Sequence, residues 1–149
     1  MGCWARCRSS TTSTTPSSTS SAWPSRRRSS SATGGGNFDA ALRELGRKGM
    51  RDFLGSTAGK TFLSFSIKDP RRSLTNLPVL FRTVASYGSR AVEWRGPRHC
   101  HIVMKRDFLP PAYHEGAFQA LMEFLHLRCV EVTGQVTGAL DSEYELRWQ

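Results

Sequence analysis

The stretch "PPAYHEGAFQALMEFLHLR", residues 110–128, carries the clearest secondary-structure signal in this 149-residue chain. Its apolar residues recur at the i, i+3, i+4 and i+7 spacing that places side chains on one face of an α-helix. The apolar face comprises Phe118, Leu121, Met122 and Leu125, and the opposite face comprises Glu115, Gln119 and Glu123. The stretch therefore predicts an amphipathic helix that packs one face against the core of the domain.

Two strands are predicted after this helix, in residues 129–136 and 143–148. In the second, "EYELRW", apolar and polar residues alternate with the period of two that places alternate side chains on opposite faces. Tyr144, Leu146 and Trp148 are expected to face the core. Their neighbours Glu143, Glu145 and Arg147 then form an outer face, which we expect to contact a partner if this strand lies at the edge of the sheet.

Two more strands are predicted before the helix, in "RAVEWR" (90–95) and "HCHIVMKR" (99–106). Gly96-Pro97 separates them and indicates a hairpin turn. Preceding residues have helical patterns, and the order of elements is therefore helices followed by a ββαββ unit. Such an order predicts an α+β domain whose antiparallel sheet is covered on one side.

Residues 37–88 contain signals for the start and the end of helices. In "DPRRSLTNLPVLFRTVASYG", residues 69–88, Asp69 and Pro70 indicate a helix start, Pro78 predicts a kink or restart near Leu77, and Gly88 indicates the end. An earlier helix is predicted in residues 37–54. Its spacing places Phe38, Leu42, Leu45 and Phe53 roughly on one face.

The first 36 residues differ in composition from the rest. They contain no Leu, Ile, Val or Phe, and nearly half of them are Ser or Thr. Such a segment buries too little apolar surface to offset its ordering entropy, so we predict a disordered tail at 1–36 and a single α+β domain at 37–149. The mixture is also typical of a GC-rich gene read out of frame, which makes a start-site or frame artefact a second hypothesis for this tail.

The segment "DPRRSLTNLPVLFRTVASYGSRAVEW", the helix after it and the closing "YELRW" resemble a myxobacteria-restricted family of unknown function with many paralogues per genome. The resemblance covers roughly residues 40–148. Its outline is similar to haem-nitric-oxide-binding and vinyl-reductase-like small-molecule domains. The family brings no established catalytic residues, and its setting implies a role in growth control or in starvation-induced multicellular development.

The stretch "GSTAGKT", residues 55–61, is similar to a phosphate-binding loop but has the wrong length. Such a loop needs four residues between its first glycine and Gly-Lys-Thr, whereas three separate Gly55 from Gly59. We interpret Gly55 as the end of one helix and Ser56 or Thr57 as the N-cap of the next. With no Ser-His-acid or paired-carboxylate grouping either, the chain is not expected to be an enzyme and no catalytic residue is assigned.

The histidine and cysteine residues are the candidate ligands for a metal ion or haem. His99 and His101 share one face of the predicted strand while Cys100 points the other way, so these three cannot bind one ion from a regular strand. His114 and His126 belong to another element. Cys100 and Cys129 are expected to lie in the core as small apolar residues. No cofactor or metal ligand is therefore assigned, and a metal or haem sensor is the third hypothesis.

Basic residues favour nucleic acid as a second hypothesis. The chain has a net charge of +9, and five of its arginines lie in the tail, which has no acidic residue. In the middle of the chain, candidate phosphate contacts are Arg71, Arg72, Arg82, Arg95, Arg98, Lys105 and Arg106, with Arg90 nearby and Tyr87 and Trp94 interleaved. Basic side chains with aromatic platforms are the means by which proteins bind single strands.

The first hypothesis is a small, non-enzymatic regulatory or interaction protein. No apolar run approaches the ~20 residues of a membrane span and no secretion signal is apparent, so the cytoplasm is the expected compartment. We expect another protein as the partner. The scattered cysteines exclude a disulfide framework as the basis of the fold.

Overall fold

A computed structural model of the chain describes residues 35–66 and 69–149. The elements are α1 (Gly35–Gly55), α2 (Thr57–Ser66), α3 (Pro70–Thr75), α4 (Leu77–Val84), β1 (Ser89–Gly96), β2 (His99–Lys105), α5 (Pro111–Phe124), β3 (Glu131–Val136) and β4 (Ser142–Arg147). The predicted α+β class, with helices followed by a ββαββ unit, is confirmed. Residues 1–34 of the predicted tail lie outside the described residues, and α1 begins two residues before the predicted boundary. Among the described helices, none has the length and apolar character that a membrane crossing requires.

The four strands form one antiparallel sheet in the order β1-β2-β4-β3. The last strand of the chain, β4, therefore pairs with β2 on one side and with β3 on the other. The edge position that we considered for Glu143, Glu145 and Arg147 is wrong, because the backbone groups of β4 are already used within the sheet. The edges of this sheet are β1 and β3.

The inner face of the sheet packs against α5. Tyr144 and Leu146 of β4 are fully buried, as are Phe118 and Leu121 of α5, which confirms the predicted register and the predicted apolar face. Trp148 lies just beyond β4 and is half-buried, with its ring edge-on to the ring of Trp94 at 6.0 Å between centroids. The alternation in "EYELRW" thus correctly identified the core side of the strand.

Most of the predicted helix boundaries are confirmed by local hydrogen bonds. The Asp69 side chain accepts from the Arg71 N–H at 2.9 Å, and Asn76 separates α3 from α4 just before Pro78. Ser56 lies between α1 and α2, and its hydroxyl accepts from the Gly59 N–H at 3.2 Å. The phosphate-loop look-alike is therefore a helix-to-helix junction.

Gly88 has a different role from the one predicted. The helix ends at Val84, and Gly88 instead leads into β1 with a φ of +71°. A Cβ on Gly88 would lie 2.6 Å from the carbonyl oxygen of Lys105. Because glycine alone adopts this conformation without steric cost and leaves room for that carbonyl, it sets the turn into the sheet.

The predicted face of α1 is only partly the buried one. Leu42 and Phe53 are half-buried, and Phe53 packs against the core, but Phe38 is 65% exposed and Leu45 is 56% exposed. The fully buried residues are instead Gly46, Met50 and Leu54. The reason is the close crossing of α1 over α5. A Cβ on Gly46 would overlap the Tyr113 carbonyl. The interface is therefore built on glycine, which a search for large apolar residues does not detect.

Helix α5 is buried on both sides, between α1 and the sheet. A Cβ on Gly116 would overlap the Arg43 carbonyl of α1. Glu115, predicted to lie on a solvent-facing side, forms an ion pair with Arg43 at 2.7 Å and accepts from the Gly134 N–H at 2.8 Å. The polar face of α5 therefore contributes to packing of the domain.

Replacing Gly116 with alanine tests this helix crossing. We expect Gly116→Ala to lower the free energy of unfolding by about 1–3 kcal/mol, because the added methyl forces α1 and α5 apart. Alanine is otherwise the better helix former, so a loss of stability must come from the crossing. The matched control is Gly55→Ala, where nothing lies within 4 Å of the new methyl. Urea denaturation of both variants is the measurement, and equal stabilities would contradict the close approach.

Candidate ligand cavity

A cavity of about 300 Å³ lies between α1, α4, α5 and the start of β1. Its walls are largely apolar and aromatic. They include Met50 and Phe53 of α1, Leu80 and Phe81 of α4, and Tyr113 and Ala117 of α5. The volume lies at the lower end of the ~300–1,000 Å³ range of small-molecule pockets. The fold therefore forms a space suited to a small apolar group.

A buried polar network reaches this cavity, and it consists of Arg90, Asp107 and His114. The Arg90 Nη2 donates to Asp107 Oδ2 at 2.6 Å, and His114 Nε2 lies 3.1 Å from Asp107 Oδ1. The three side chains are only 5%, 1% and 2% exposed, in that order. Of the three, Arg90 and His114 line the cavity directly. The cavity thus combines an apolar wall with a small polar region.

Asp107 is the residue that joins these groups. Its Oδ1 also accepts from the Leu109 N–H at 3.0 Å, and its own N–H donates to the Leu140 carbonyl at 2.8 Å. Burial works to raise the pKa of Asp107, but the hydrogen bonds from His114, the Leu109 N–H and Arg90 outweigh it and lower the pKa to about 2. Asp107 is therefore ionised at neutral pH.

Two polar atoms of this network keep a free hydrogen-bonding capacity. Arg90 Nε and His114 Nδ1 are buried and have no hydrogen-bond partner in the described part of the chain. Because the ionised Asp107 carboxylate only accepts hydrogen bonds, His114 Nε2 carries the hydrogen in this contact. Both atoms are enclosed in the interior of the domain and are not open to the cavity.

Aromatic rings hold the arginine and the histidine in place. The Arg90 guanidinium carbon lies 4.9 Å from the Phe81 ring centroid and 5.6 Å from that of Tyr87, and Nη1 donates to the Tyr87 carbonyl at 2.8 Å. The His114 ring stacks on Phe118 with centroids 6.0 Å apart. Cation–π and stacking contacts of this kind restrict both side chains, so Arg90 and His114 have fixed positions beside the cavity.

The predicted basic cluster is split between the two ends of the hairpin. Arg95 and Arg98 lie near the β1–β2 turn, whereas Lys105 and Arg106 lie at the other end of β2. Because a strand rises about 3.3 Å per residue, the two pairs are roughly 20 Å apart. Several members are already paired. Arg95 contacts Glu93 at 3.1 Å, and Lys105 contacts Asp141 at 3.5 Å. The structure therefore does not bring these residues into one basic surface.

Arg71, Arg72 and Arg82 lie on α3 and α4, and all three are exposed. The Arg71 guanidinium stacks on Trp94 of β1 at 4.6 Å, which joins one predicted phosphate contact to one predicted aromatic platform. Trp94 Nε1 also donates to the Thr75 hydroxyl at 3.1 Å. This pair is the part of the predicted nucleic-acid surface that the structure brings together.

The histidines of β2 share one face of the strand, as predicted, and this is the outer face of the sheet, where His101 is nevertheless buried. His99 contacts Glu145, and His101 Nε2 lies 3.3 Å from Glu143. The predicted partner-facing residues Glu143 and Glu145 are therefore paired with histidines of the neighbouring strand. Arg147, also on this outer side, is exposed and lies 3.9 Å from Glu145. No group of three or more metal-binding side chains has suitable geometry in residues 35–66 and 69–149.

The two core cysteines predicted from sequence have different environments. Cys100 is fully buried, and burial, with a smaller contribution from the charge of Glu145, raises the pKa of its thiol to about 12. It is therefore an unreactive core residue. Cys129 is half-buried, with a φ of +50° in the turn before β3, so its prediction as a core residue is wrong.

None of the polar residues at the cavity was identified from sequence as a site. Arg90, Asp107 and His114 are 17 and 7 residues apart, and they come from β1, the β2–α5 loop and α5. Their association depends on tertiary structure. The signal available in the sequence was a histidine on the apolar face of this helix, since His114 lies four residues before Phe118 and seven before Leu121.

Solved structures of H-NOX proteins have the same fold. An H-NOX mutant from K. algicida has a TM-score of 0.60 and 16% identity, with 74% of this chain and 63% of that chain covered. An oxygen-binding H-NOX domain related to soluble guanylate cyclases has a TM-score of 0.56 and 12% identity, with coverages of 77% and 64%. An H-NOX mutant from T. Tengcongensis has a TM-score of 0.56 and 12% identity, with coverages of 77% and 66%. The chain thus spans less than two thirds of these H-NOX chains.

At the level of sequence, the family model described as "Protein of unknown function (DUF2378)" matches residues 28–149. The chain belongs to this family. No curated protein sequence shows significant similarity to it. The expected resemblance to a family of unknown function with an H-NOX-like outline is therefore confirmed.

Acid titration of Asp107→Asn tests the polar network. The pKa of Asp107 is about 2, below its usual value of 3.8, so the carboxylate stabilises the fold above pH ~4 and loses this contribution as the pH falls through ~2. A shift of this size corresponds to about 2 kcal/mol. We expect wild type to be more stable than Asp107→Asn at pH 6, and this difference to shrink by about 2 kcal/mol between pH 5 and pH 2.

Urea denaturation across this pH range is the measurement. Asp39→Asn is the control, because it removes an exposed carboxylate and makes the same change of net charge. A stability difference between wild type and Asp107→Asn that is constant with pH would contradict the ionised, hydrogen-bonded state of Asp107.

Proposed function

We propose that this chain is a non-enzymatic regulatory domain that binds a small molecule in the cavity beside Arg90 and His114. The observation that carries the proposal is the cavity of about 300 Å³, whose apolar and aromatic walls meet the buried Arg90–Asp107–His114 network on one side. Small-molecule sites are typically apolar cavities with a few fixed polar groups.

Several features of the site favour binding over catalysis. Asp107, with its pKa of about 2, is too weak a base to exchange protons near neutral pH. The Cys100 thiol is held protonated by burial and faces the sheet core. Arg90 and His114 are both fixed by Asp107 and by aromatic rings. These properties suit a preformed recognition site and support the non-enzymatic proposal.

The likeness to H-NOX structures raises haem as a ligand, because the work on some of those proteins concerns haem redox potential and haem distortion. The residues of this cavity do not fit that group. Among the described residues that line the cavity, His114 is the one histidine, and its Nε2 is engaged by Asp107. The cavity volume of about 300 Å³ is also small for a macrocycle. Our proposal is therefore a smaller ligand, and a haem sensor is not favoured.

The rim of the cavity offers a surface on which a partner protein can detect the ligand. Val84 and Phe108 are 56% and 65% exposed, and the rings of Phe108 and Tyr87 are 5.2 Å apart. Tyr87 and Val84 also line the cavity. A ligand that moves these side chains changes an exposed apolar surface. We propose that a partner protein reads this surface.

The biological setting in this proposal comes from the family resemblance. We propose a cytoplasmic regulator of growth or of starvation-induced development in myxobacteria. The paralogous character of that family fits a set of related domains that differ in ligand or partner. The cavity provides a place where such differences in specificity can be encoded.

A second candidate function is binding of single-stranded nucleic acid. The observation in its favour is Arg71 stacked on Trp94 at 4.6 Å, since stacked arginine and aromatic side chains are platforms for bases. On this proposal, Arg71→Ala weakens binding of a fluorescent single-stranded oligonucleotide at least several-fold. The control is Arg51→Ala on α1, which removes an exposed arginine elsewhere. If the two substitutions weaken oligonucleotide binding equally, the binding is non-specific charge attraction and the second candidate function is contradicted.

Blocking the cavity tests the first proposal. Ala85 lines the cavity from the end of α4, and its φ of −144° accepts any side chain. We expect Ala85→Trp to occupy the cavity and to abolish retention of small molecules by protein purified from its source cells. The measurement is mass spectrometry of a solvent extract of the purified protein.

The matched control is Ala91→Trp, which places the same side chain on the exposed outer face of β1, away from the cavity. Retention by Ala91→Trp together with loss by Ala85→Trp supports the proposal. If the solvent extracts of wild type, Ala85→Trp and Ala91→Trp have the same small-molecule content, the proposal is contradicted.

A further inference from the structure

We propose that the edge strand β1 binds an acidic, extended segment of a partner protein, which adds to the sheet as a further strand. The proposal goes beyond small-molecule binding and does not depend on the cavity. Two observations carry it: the direction of the unpaired backbone groups of β1, and the unpaired arginines of the helices beside β1.

The direction of the backbone groups of β1 follows from the pairing of β2 with β4. Just outside these strands, the Trp148 N–H donates to the Arg98 carbonyl at 3.2 Å, in the register that pairs β4 with β2. Residues that point toward the neighbouring strand alternate along an antiparallel pair, so Ile102 of β2 also points toward β4. The partner of Ile102 in β1 is Val92. These two residues therefore form a non-hydrogen-bonded pair, and the N–H and C=O of Val92 point away from β2, toward the edge of the sheet.

The two edges of the sheet differ in what meets these outward groups. On β3, the outward N–H of Gly134 donates to the Glu115 side chain of α5 at 2.8 Å. On β1, Arg90 and Trp94 share the direction of Val92, and the outward backbone groups of these three residues have no hydrogen-bond partner among the described residues. Exposed edge strands pair with extended segments through such groups. Strand β1 is therefore the edge at which a segment can be added.

The charge of the segment follows from the helices beside β1. The Arg71 guanidinium of α3 stacks on Trp94 of β1 at 4.6 Å. Arg71, Arg72 and Arg82 are exposed, and none of them forms an ion pair in the part of the chain that the structure describes. A residue added opposite Trp94 has its side chain on the same face of the sheet, where a carboxylate can pair with Arg71. An acidic segment therefore complements this side of β1.

The outer face of the added strand has a different requirement. There, Glu93 and Arg95 of β1 already form an ion pair at 3.1 Å, so neutral polar side chains suit the positions opposite them. Nucleic acid would also complement the arginines. Its phosphate oxygens, however, only accept hydrogen bonds and leave the outward carbonyls of β1 unpaired, which favours a peptide.

Fluorescence anisotropy with labelled peptides tests the proposal on the full chain. The probe is an eight-residue peptide of alternating Glu and Thr, the length of β1, and its control has Lys in place of Glu. We expect the Glu–Thr peptide to bind about ten-fold more tightly than the Lys–Thr peptide, because it pairs with the exposed arginines. We also expect Arg71→Ala to weaken its binding about three-fold and Arg51→Ala on α1 to leave it unchanged.

Val92→Pro tests the role of the backbone. It removes an outward N–H without breaking a bond to β2, and proline is tolerated at such positions of edge strands. The matched control is Val132→Pro, since Val132 is a half-buried valine whose N–H points outward from the other edge strand. We expect Val92→Pro to weaken binding of the Glu–Thr peptide about ten-fold, and Val132→Pro to leave it unchanged.

Amide hydrogen exchange of the wild-type protein, measured by NMR, tests the same edge without a substitution. The Glu–Thr peptide is expected to slow exchange of the Val92 and Trp94 N–H groups several-fold and to leave that of Gly134 unchanged. Unchanged exchange at Val92 and Trp94, or equal binding by the two proline variants, would contradict strand addition at β1.

The probes also decide the chemistry of the partner. If the Lys–Thr peptide binds as tightly as the Glu–Thr peptide, or if neither binds at millimolar concentration, the proposed acidic segment is wrong. If a labelled oligothymidylate of the same length binds in a way that Arg71→Ala weakens while neither peptide binds, this surface is a nucleic-acid site and the proposal is contradicted.

Discussion

The hydrogen bonds of the Asp107 carboxylate are the interaction on which this architecture depends most. This one residue connects β1 through Arg90, α5 through His114, and the β3–β4 loop through its N–H bond to the Leu140 carbonyl. Removing one partner from a buried charged network leaves the others unpaired, which is far more costly than losing an exposed ion pair. The position of Asp107 therefore determines where α5 begins relative to the sheet, and with it the shape of the cavity.

The same network gives the cavity a rigid polar side. Asp107 uses its two oxygens to fix Arg90 and His114, and both of these residues line the cavity. Arg90 Nε and His114 Nδ1 are buried without partners among the described residues, and a buried polar atom without a partner lowers stability. The network is therefore retained at some cost to stability.

Local signals in the sequence were sufficient to predict most elements, because each depends on residues close together in the chain. The Asp69 cap, the restart before Pro78 and the alternation of Tyr144 and Leu146 are of this kind. The buried face of α1 was predicted only in part, since the crossing with α5 selects glycine at Gly46 and leaves Leu45 exposed. No pattern of apolar residues indicates a helix interface that is defined by the absence of side chains.

The cavity was beyond prediction for a related reason. In the sequence, Arg90 is one of many basic residues, and its pairing with Asp107 becomes apparent only when β1 and the β2–α5 loop meet. Because both side chains are buried, they form an ion pair inside the domain and do not contribute to a surface that attracts phosphate. The H-NOX-like fold supplies the framework, and the chemistry of the site comes from the side chains of Arg90, Asp107 and His114.

The most direct measurement of this account is the nuclear Overhauser effect between bound toluene, a small apolar probe, and the protein in solution. The account predicts contacts from the toluene ring to the methyl groups of Leu80 and Val84, which line the cavity. Contacts confined to the exposed Phe38 and Leu45 side chains of α1 would contradict it.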